Sequence, residues 1–273
     1  MFWAQPLFAR DRHYTSYSDS PETFLRAIES YKRAPHSACA FGDKKPRAGI
    51  LPHHFLASSM MVDFFECFAA QGSPKRIILI GPDHYSKGIY SASFSSLPWK
   101  TPFGMISADA DAVGNMRRAI SVKEDAGAFS GEHSVGILIP FVKQYFPEAR
   151  IVPILVRNHV SRPDMLKLAE QLKRYAKDPG TVILLSMDFS HDKTPKEADK
   201  MDERSKAVIQ GLDIGRIKDV DADNRPGLFM LMKFLKDSGI DSVYFREHSN
   251  AAIIAGRPDL KSVTSYFTVF FLK

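Results

Sequence analysis

The sequence predicts a single α/β domain, residues 1–273, built on a mixed, partly parallel β-sheet flanked by helices. Three observations carry that reading. Apolar runs of strand length recur at Ala48–Leu51, Ile77–Ile80, Arg150–Val156 and Thr181–Met187, and such runs need cover on both faces of the sheet they form. Stretches with helical spacing fall between them, and alternation of strand and helix builds parallel sheet. The chain is 44% hydrophobic and 25% charged over 273 residues, which suits one ordinary globular unit. No repeat, low-complexity tract or long linker marks a second domain.

Residues 1–21 read as an irregular N-terminal arm carrying Tyr14 and Tyr17. Ser20-Pro21-Glu22-Thr23 then opens a helix whose apolar face is Phe24, Leu25, Ile28 and Tyr31, with Pro21 suited to the first turn. The segment between Pro35 and Pro46 is a loop. Residues 56–70 place Met60, Met61, Phe64, Phe65 and Phe68 at helical spacing, the pattern of core packing. Residues 90–95 alternate as an antiparallel strand does, and a turn-rich segment runs through Trp99, Pro102 and Gly104.

Asp109–Ile120 reads as a helix, and Gly131-Glu132-His133-Ser134 opens an amphipathic helix reaching Phe146. Further helices are expected over 162–176, 196–212 and 227–236, with an acidic turn at 219–226 before the last. Strands are expected over 241–247, ending at His248-Ser249-Asn250, and over 262–271, whose apolar character makes it a core or edge strand rather than a tail.

The formal charge of +6 comes from Lys and Arg interleaved with Asp and Glu. No basic block stands out, so a solvated basic surface is the reading and no nucleic-acid partner is expected. The opening apolar stretch is too short for a signal peptide or span, and no membrane association is expected. Only Cys39 and Cys67 are present, too few for a disulfide framework and without a Cys-x-x-Cys pair, so a reducing, cytoplasmic location is the default.

The chemistry lies where the strands end. Ile77–Ile80 runs through Gly81-Pro82-Asp83 into His84, Ala48–Leu51 through Pro52 into His53 and His54, and Thr181–Met187 into Asp188-Phe189-Ser190-His191. In open α/β sheets ligands bind outside the carboxyl ends of the strands. Imidazoles and a carboxylate gathered on one rim suit a transition metal, and two His with one carboxylate leave coordination positions open for ferrous iron to take a substrate and dioxygen. Each histidine alone is ordinary; three after three strand ends point to a metal or catalytic site.

These motifs, Leu51-Pro52-His53, Ile80-Gly81-Pro82-Asp83-His84, Glu132-His133-Ser134-Val135 and Met187-Asp188-Phe189-Ser190-His191, resemble in order and spacing those of the Memo family. That family includes the bacterial AmmeMemoRadiSam system protein B and is similar in structure to class III extradiol dioxygenases. The resemblance runs from about Arg47 to the C-terminus. It implies a Memo-like, extradiol-dioxygenase-like α/β domain with a metal-capable pocket, in which His53 and His84 match metal-ligand positions and Asp188 and His191 match pocket residues. His133 matches a second histidine at a helix start, suited to proton transfer or to orienting a ligand.

One departure matters. The family places a cysteine ahead of an Arg-Pro pair as a third pocket ligand, and here that region reads Asp221-Ala222-Asp223-Asn224-Arg225-Pro226. Asp223, or less readily Asp221, substitutes as a carboxylate to complete a His53, His84, Asp223 metal set; alternatively the acidic turn caps the next helix. His54 stands where the family has a small residue, as ligand, gate or bystander, and His248 is a further candidate. The expected function is a metal-dependent oxidoreductase, dioxygenase-like, with iron or copper bound and zinc as another option. His133, His191 and Asp188 would be catalytic, acting on a small-molecule substrate. A module binding a peptide or ligand in the same pocket, and a metal-dependent hydrolase, are the alternatives. The system name implies a radical-SAM partner.

Overall fold

The computed structural model describes residues 13–17 and 20–273, so most of the N-terminal arm lies outside the described residues. In chain order the elements are β1 (Tyr14–Thr15), α1 (Pro21–Arg33), β2 (Pro46–Leu51), α2 (Ser58–Ala69), β3 (Arg76–Pro82), β4 (Ala92–Phe94), β5 (Trp99–Thr101), β6 (Gly104–Ile106), α3 (Ala110–Ala119), α4 (His133–Gly136) and α5 (Ile139–Tyr145). There follow β7 (Arg150–Val156), α6 (Arg162–Tyr175), β8 (Thr181–Ser186), β9 (Phe189–Lys193), α7 (Pro195–Gln210), α8 (Arg225–Asp237), β10 (Ser242–Asn250), α9 (Ala251–Ile254) and β11 (Val263–Leu272).

Eight strands form the main sheet in the order β10-β11-β2-β8-β3-β7-β4, with β9 paired to β11. The centre, β2-β8-β3-β7, is parallel; β4, β9, β10 and β11 add antiparallel edges. The sheet is therefore mixed and flanked by helices, the expected α/β class. Alternate residues of each central strand feed two separate cores. Ile78, Ile80, Ile183 and Leu185 pack with Leu228 and Phe234 of α8. Ile77, Leu79, Val182 and Leu184 pack with Phe64 and Phe65 of α2 and Phe141 of α5. Burial on both faces is why these runs carry no polar alternation, each aliphatic side chain contributing roughly 1.5–3 kcal/mol.

Several local expectations change. Within the arm expected to be irregular, Tyr14–Thr15 pair in parallel with β5, which itself forms a hairpin with β6 in place of simple turns. The helix expected from Gly131 to Phe146 is broken into α4 and α5, because Pro140 at the start of α5 has no N–H to continue the preceding turn. Leu25 is 39% exposed, off the face formed by Phe24 and Ile28. The segment after Asp188, to which the sequence assigned no element, is the strand β9, held by β11. Cys39 and Cys67, too few for a disulfide framework, nevertheless form one disulfide, which removes the cysteine argument for a reducing compartment. Among the described residues no helix is long and apolar enough to cross a membrane.

Candidate metal centre

Strands β2, β8 and β3 lie side by side and parallel, so their carboxyl ends share one rim. Leu51 and Ser186 are in register, and Met187 N–H donates to the Leu51 carbonyl at 3.1 Å. Two residues beyond that register, His53 and Asp188 stand together: the His53 main-chain N–H donates to Asp188 Oδ1 at 3.0 Å, and both residues are almost wholly buried. His84 follows β3 at the same rim. Its ring centroid is 4.9 Å from that of His53.

Gly81 permits this arrangement. A Cβ there would come within 2.6 Å of Ser134 Oγ and 2.9 Å of Val135 Cγ1, so the start of α4 packs directly on the end of β3. That contact delivers Glu132 to His84. The Glu132 carboxylate accepts from the His84 main-chain N–H at 3.0 Å and from its Nδ1 at 2.9 Å, and also caps α4 by accepting from Ser134 N–H at 2.9 Å.

Both ligand-capable rings are thereby oriented. With Nδ1–H of His84 given to Glu132, its Nε2 faces the rim. For His53, Ser186 donates its hydroxyl hydrogen to the Ser134 carbonyl at 2.5 Å and so accepts from His53 Nδ1–H at 2.9 Å, leaving Nε2 to point inward. A histidine whose far nitrogen is fixed by an oxygen partner presents a defined lone pair to a metal.

The carboxylate arrives from elsewhere in the chain. Asp223 exchanges hydrogen bonds with Asp188, its main-chain N–H donating to the Asp188 carbonyl and its Oδ1 accepting from Asp188 N–H, each at 3.2 Å. Asp223 Oδ2 then lies 3.1 Å from His53 Nε2 and 3.4 Å from His84 Nε2. Neither approach has hydrogen-bond geometry, and this buried oxygen makes no hydrogen bond. A buried carboxylate oxygen without a donor is costly. Two imidazole nitrogens face that oxygen, donors of the kinds that hold a metal ion. Asp223 does not cap α8; Asn224 does, accepting from Gly227 N–H at 3.0 Å.

The donors fall into overlapping groups, His53 with His84 and His133, and His53 with Asp188 and Asp223, the ligand atoms of each group lying within 4.8 Å of one another. The electrostatics follow from the crowding. Burial disfavours the charged form of His84, but the carboxylates of Asp223 and Glu132 beside it outweigh that and push its pKa up to about 9. Burial of His53 is likewise overcome by Asp188 and Asp223, and its pKa is raised. His133 stacks on His84 with centroids 4.3 Å apart; burial and the neighbouring imidazoles push its pKa down to about 4. Despite its burial Asp223 is held well below the usual carboxylate range by His53 and His84, whereas Asp188 is raised by burial with Asp223 beside it.

His53, His84, His133 and Asp188 line a pocket of about 360 Å³ together with His54 and His191, with Tyr17, Phe55 and Ile137 among its walls. His191, on β9, is exposed at the mouth. His54 bonds Tyr266 Oη at 2.6 Å through Nδ1. His248 does not line the pocket. It bonds the buried Asp202 at 2.7 Å, which also accepts from Ser190 and Ser265, so its role is to tie β10 to α7. Asp221 does not join the donor groups. Sequence reasoning passed over Glu132 as a partner of His84, although the Glu-His-Ser motif displayed it. Ser186 gave no signal at all, being one polar residue at the end of an apolar strand.

The family model for Memo-like proteins matches residues 14–252. The chain belongs to the Memo-like family. Among its Memo-like relatives, a MEMO1 family protein of Pyrobaculum arsenaticum is 28% identical over 240 residues, covering 84% of each chain. A MEMO1 family protein of Sulfolobus acidocaldarius is 28% identical over 278 residues, covering 93% of this chain and 95% of its own. Of solved structures, an uncharacterized protein of Escherichia coli K12 superposes with a TM-score of 0.52 at 10% identity, over 83% of this chain and all of that one. That likeness speaks for the α/β fold alone.

Proposed function

We propose that this Memo-like chain is a metal-dependent oxidoreductase that holds iron or copper through His53 Nε2, His84 Nε2 and Asp223 Oδ2 and acts on a small molecule in the adjoining pocket. The observation that supports this reading is the buried Asp223 oxygen, without a hydrogen bond, placed between two imidazole nitrogens whose opposite ring nitrogens are already committed. When bound, a metal in such a two-histidine, one-carboxylate set supplies open positions for a substrate and dioxygen together and a redox couple between them.

The remaining residues prepare that chemistry. Glu132 and Ser186 hold the rings of His84 and His53 in single orientations. Asp188 fixes the backbone of His53 and, through two hydrogen bonds, the position of Asp223. His133 is the proton acceptor for a substrate hydroxyl. With its pKa pushed down to about 4 it is neutral at pH 7, and its Nδ1 lies 3.3 Å from the Tyr85 hydroxyl. His191, at the mouth, is placed to pass protons to solvent.

The test is elemental analysis of protein purified without a metal-affinity tag, followed by anaerobic loading with Fe(II) or copper and oxygen-electrode assays on small phenols and catechols. Near-stoichiometric iron or copper, with oxygen uptake lost in His53→Ala/His84→Ala, is the expected outcome. Zinc with no oxygen uptake would move the reading to hydrolysis, and failure to retain any metal after reconstitution would overturn the site.

A further inference from the structure

His54 is outside the metal-capable groups but lines the same pocket, and it is exposed, so a ligand there reaches its ring. One edge of that ring is fixed. Its Nδ1 lies 2.6 Å from Tyr266 Oη, and the two rings meet edge to face with centroids 5.8 Å apart. Tyr266 is fully buried, and its hydroxyl has no other hydrogen-bond partner among the described residues. A buried hydroxyl hydrogen left without an acceptor is costly, so Tyr266 donates to His54 Nδ1. Burial, with Asp188 adding to it, raises the Tyr266 pKa and keeps that hydrogen in place. His54 therefore carries its own hydrogen on Nε2, and no described residue accepts it.

Thr264 supplies a second donor. It lies two residues before Tyr266 on β11, so both side chains leave the same face of the strand. Ser265 between them faces the other way and donates to Asp202 of α7 at 2.8 Å. Thr264 also lines the pocket, and its hydroxyl has no partner among the described residues. The carboxylate among the lining residues, Asp188, is almost wholly buried, with Oδ1 accepting from the His53 main-chain N–H. Tyr17 and Phe55, stacked with centroids 5.9 Å apart, and Ile137 give the pocket an apolar side. A flat ring suits that side, and the two oxygens of a carboxylate suit the two free donors.

We propose that His54 Nε2–H and Thr264 Oγ–H are the specificity-determining pair of this pocket and bind the carboxylate of a small aromatic acid, with Tyr266 the positioning residue that aims His54. This names the substrate class of the proposed function and rests on that reading.

Titration of benzoate and of its neutral isostere benzamide into the full chain, followed by NMR, tests it. The chain carries His53→Ala/His84→Ala in the presence of chelator, so that neither metal nor the metal-capable imidazoles hold the carboxylate. Benzoate is expected to bind about tenfold tighter than benzamide, the size of a charge-assisted hydrogen bond. His54→Ala and Thr264→Val are each expected to lower that ratio at least about threefold while leaving benzamide affinity within about twofold. The ¹⁵N spectrum of the His54 ring should show hydrogen on Nε2 alone, and Tyr266→Phe should disturb it and lower the ratio too. Failure of benzoate to bind, affinity equal to that of benzamide, a ratio untouched by His54→Ala, or loss of both ligands alike in that variant would overturn the proposal. Hydrogen on Nδ1 would overturn the positioning role of Tyr266. Absence of metal from the parent chain would overturn the metal reading and leave these outcomes unchanged.

Discussion

At the scale of single residues, the proton on His84 decides how the centre responds to pH. With a pKa pushed up to about 9, His84 is protonated at pH 7 in the metal-free chain, and a metal has to displace that proton from Nε2. Affinity for metal should therefore rise with pH up to about 9, by about tenfold per unit from this residue alone. His53, raised for a similar reason, adds to the slope. Calorimetry in two buffers of different ionisation enthalpy at pH 7 should find about one proton or more released per metal; no release would mean that His84 is not displaced.

Asp223 is the other deciding residue. Asp223→Asn keeps the shape and offers the same Oδ1 acceptor to Asp188, but replaces the donor-free oxygen by a neutral amide. Metal affinity measured by competition with a chromophoric chelator should fall at least about tenfold, and the thermal midpoint of the metal-free chain should fall as well, because the raised imidazoles of His53 and His84 lose the buried carboxylate that favours their charged form. Asp223→Cys, which puts a thiolate where the Memo family has its pocket cysteine, should retain metal and shift the preference toward softer ions.

At the scale of elements, the close contact of α4 with β3 sets the geometry of the rim. Gly81→Ala forces the Ser134 hydroxyl, which donates to the Pro82 carbonyl at 2.9 Å, and the Val135 methyl to move. The expected cost is about 1–3 kcal/mol in urea unfolding, together with weaker metal binding, because Glu132 moves with α4 and releases His84. Stability loss with metal affinity untouched would show that Glu132 does not depend on this packing.

The central strands were legible because burial on both faces forces continuous apolar runs, and the amphipathic helices because one face meets a core. The short pieces were not. Tyr14–Thr15, Trp99–Thr101 and Phe189–Lys193 become strands only because a partner strand supplies their hydrogen bonds, and nothing local to those residues specifies that partner.

At the scale of the whole molecule, the Cys39–Cys67 bridge fastens the loop after α1 to α2 across 28 residues. Closing a loop of that length should contribute about 3–4 kcal/mol by restricting the unfolded chain. Reduction, or Cys39→Ser/Cys67→Ser, should lower the denaturant midpoint accordingly without altering metal content, since neither cysteine lies in the metal-capable groups. A change in metal content would tie the bridge to the site.

Taken alone, the sequence determined which residues end the buried strands, and so placed His53, His84 and Asp188 on a common rim, since parallel strands of one sheet present their carboxyl ends together. It also displayed the motifs of the Memo family. Only the tertiary structure decided how those side chains are held and joined. The Asp221–Asp223 turn is brought against Asp188 by backbone pairing across 35 positions of sequence, Glu132 reaches His84 because Gly81 admits α4, and Ser186 fixes His53 through a hydroxyl that no local pattern distinguishes. The physical reason is that periodicity reports which face of an element is buried, whereas the partner of a polar group depends on which distant segment packs there.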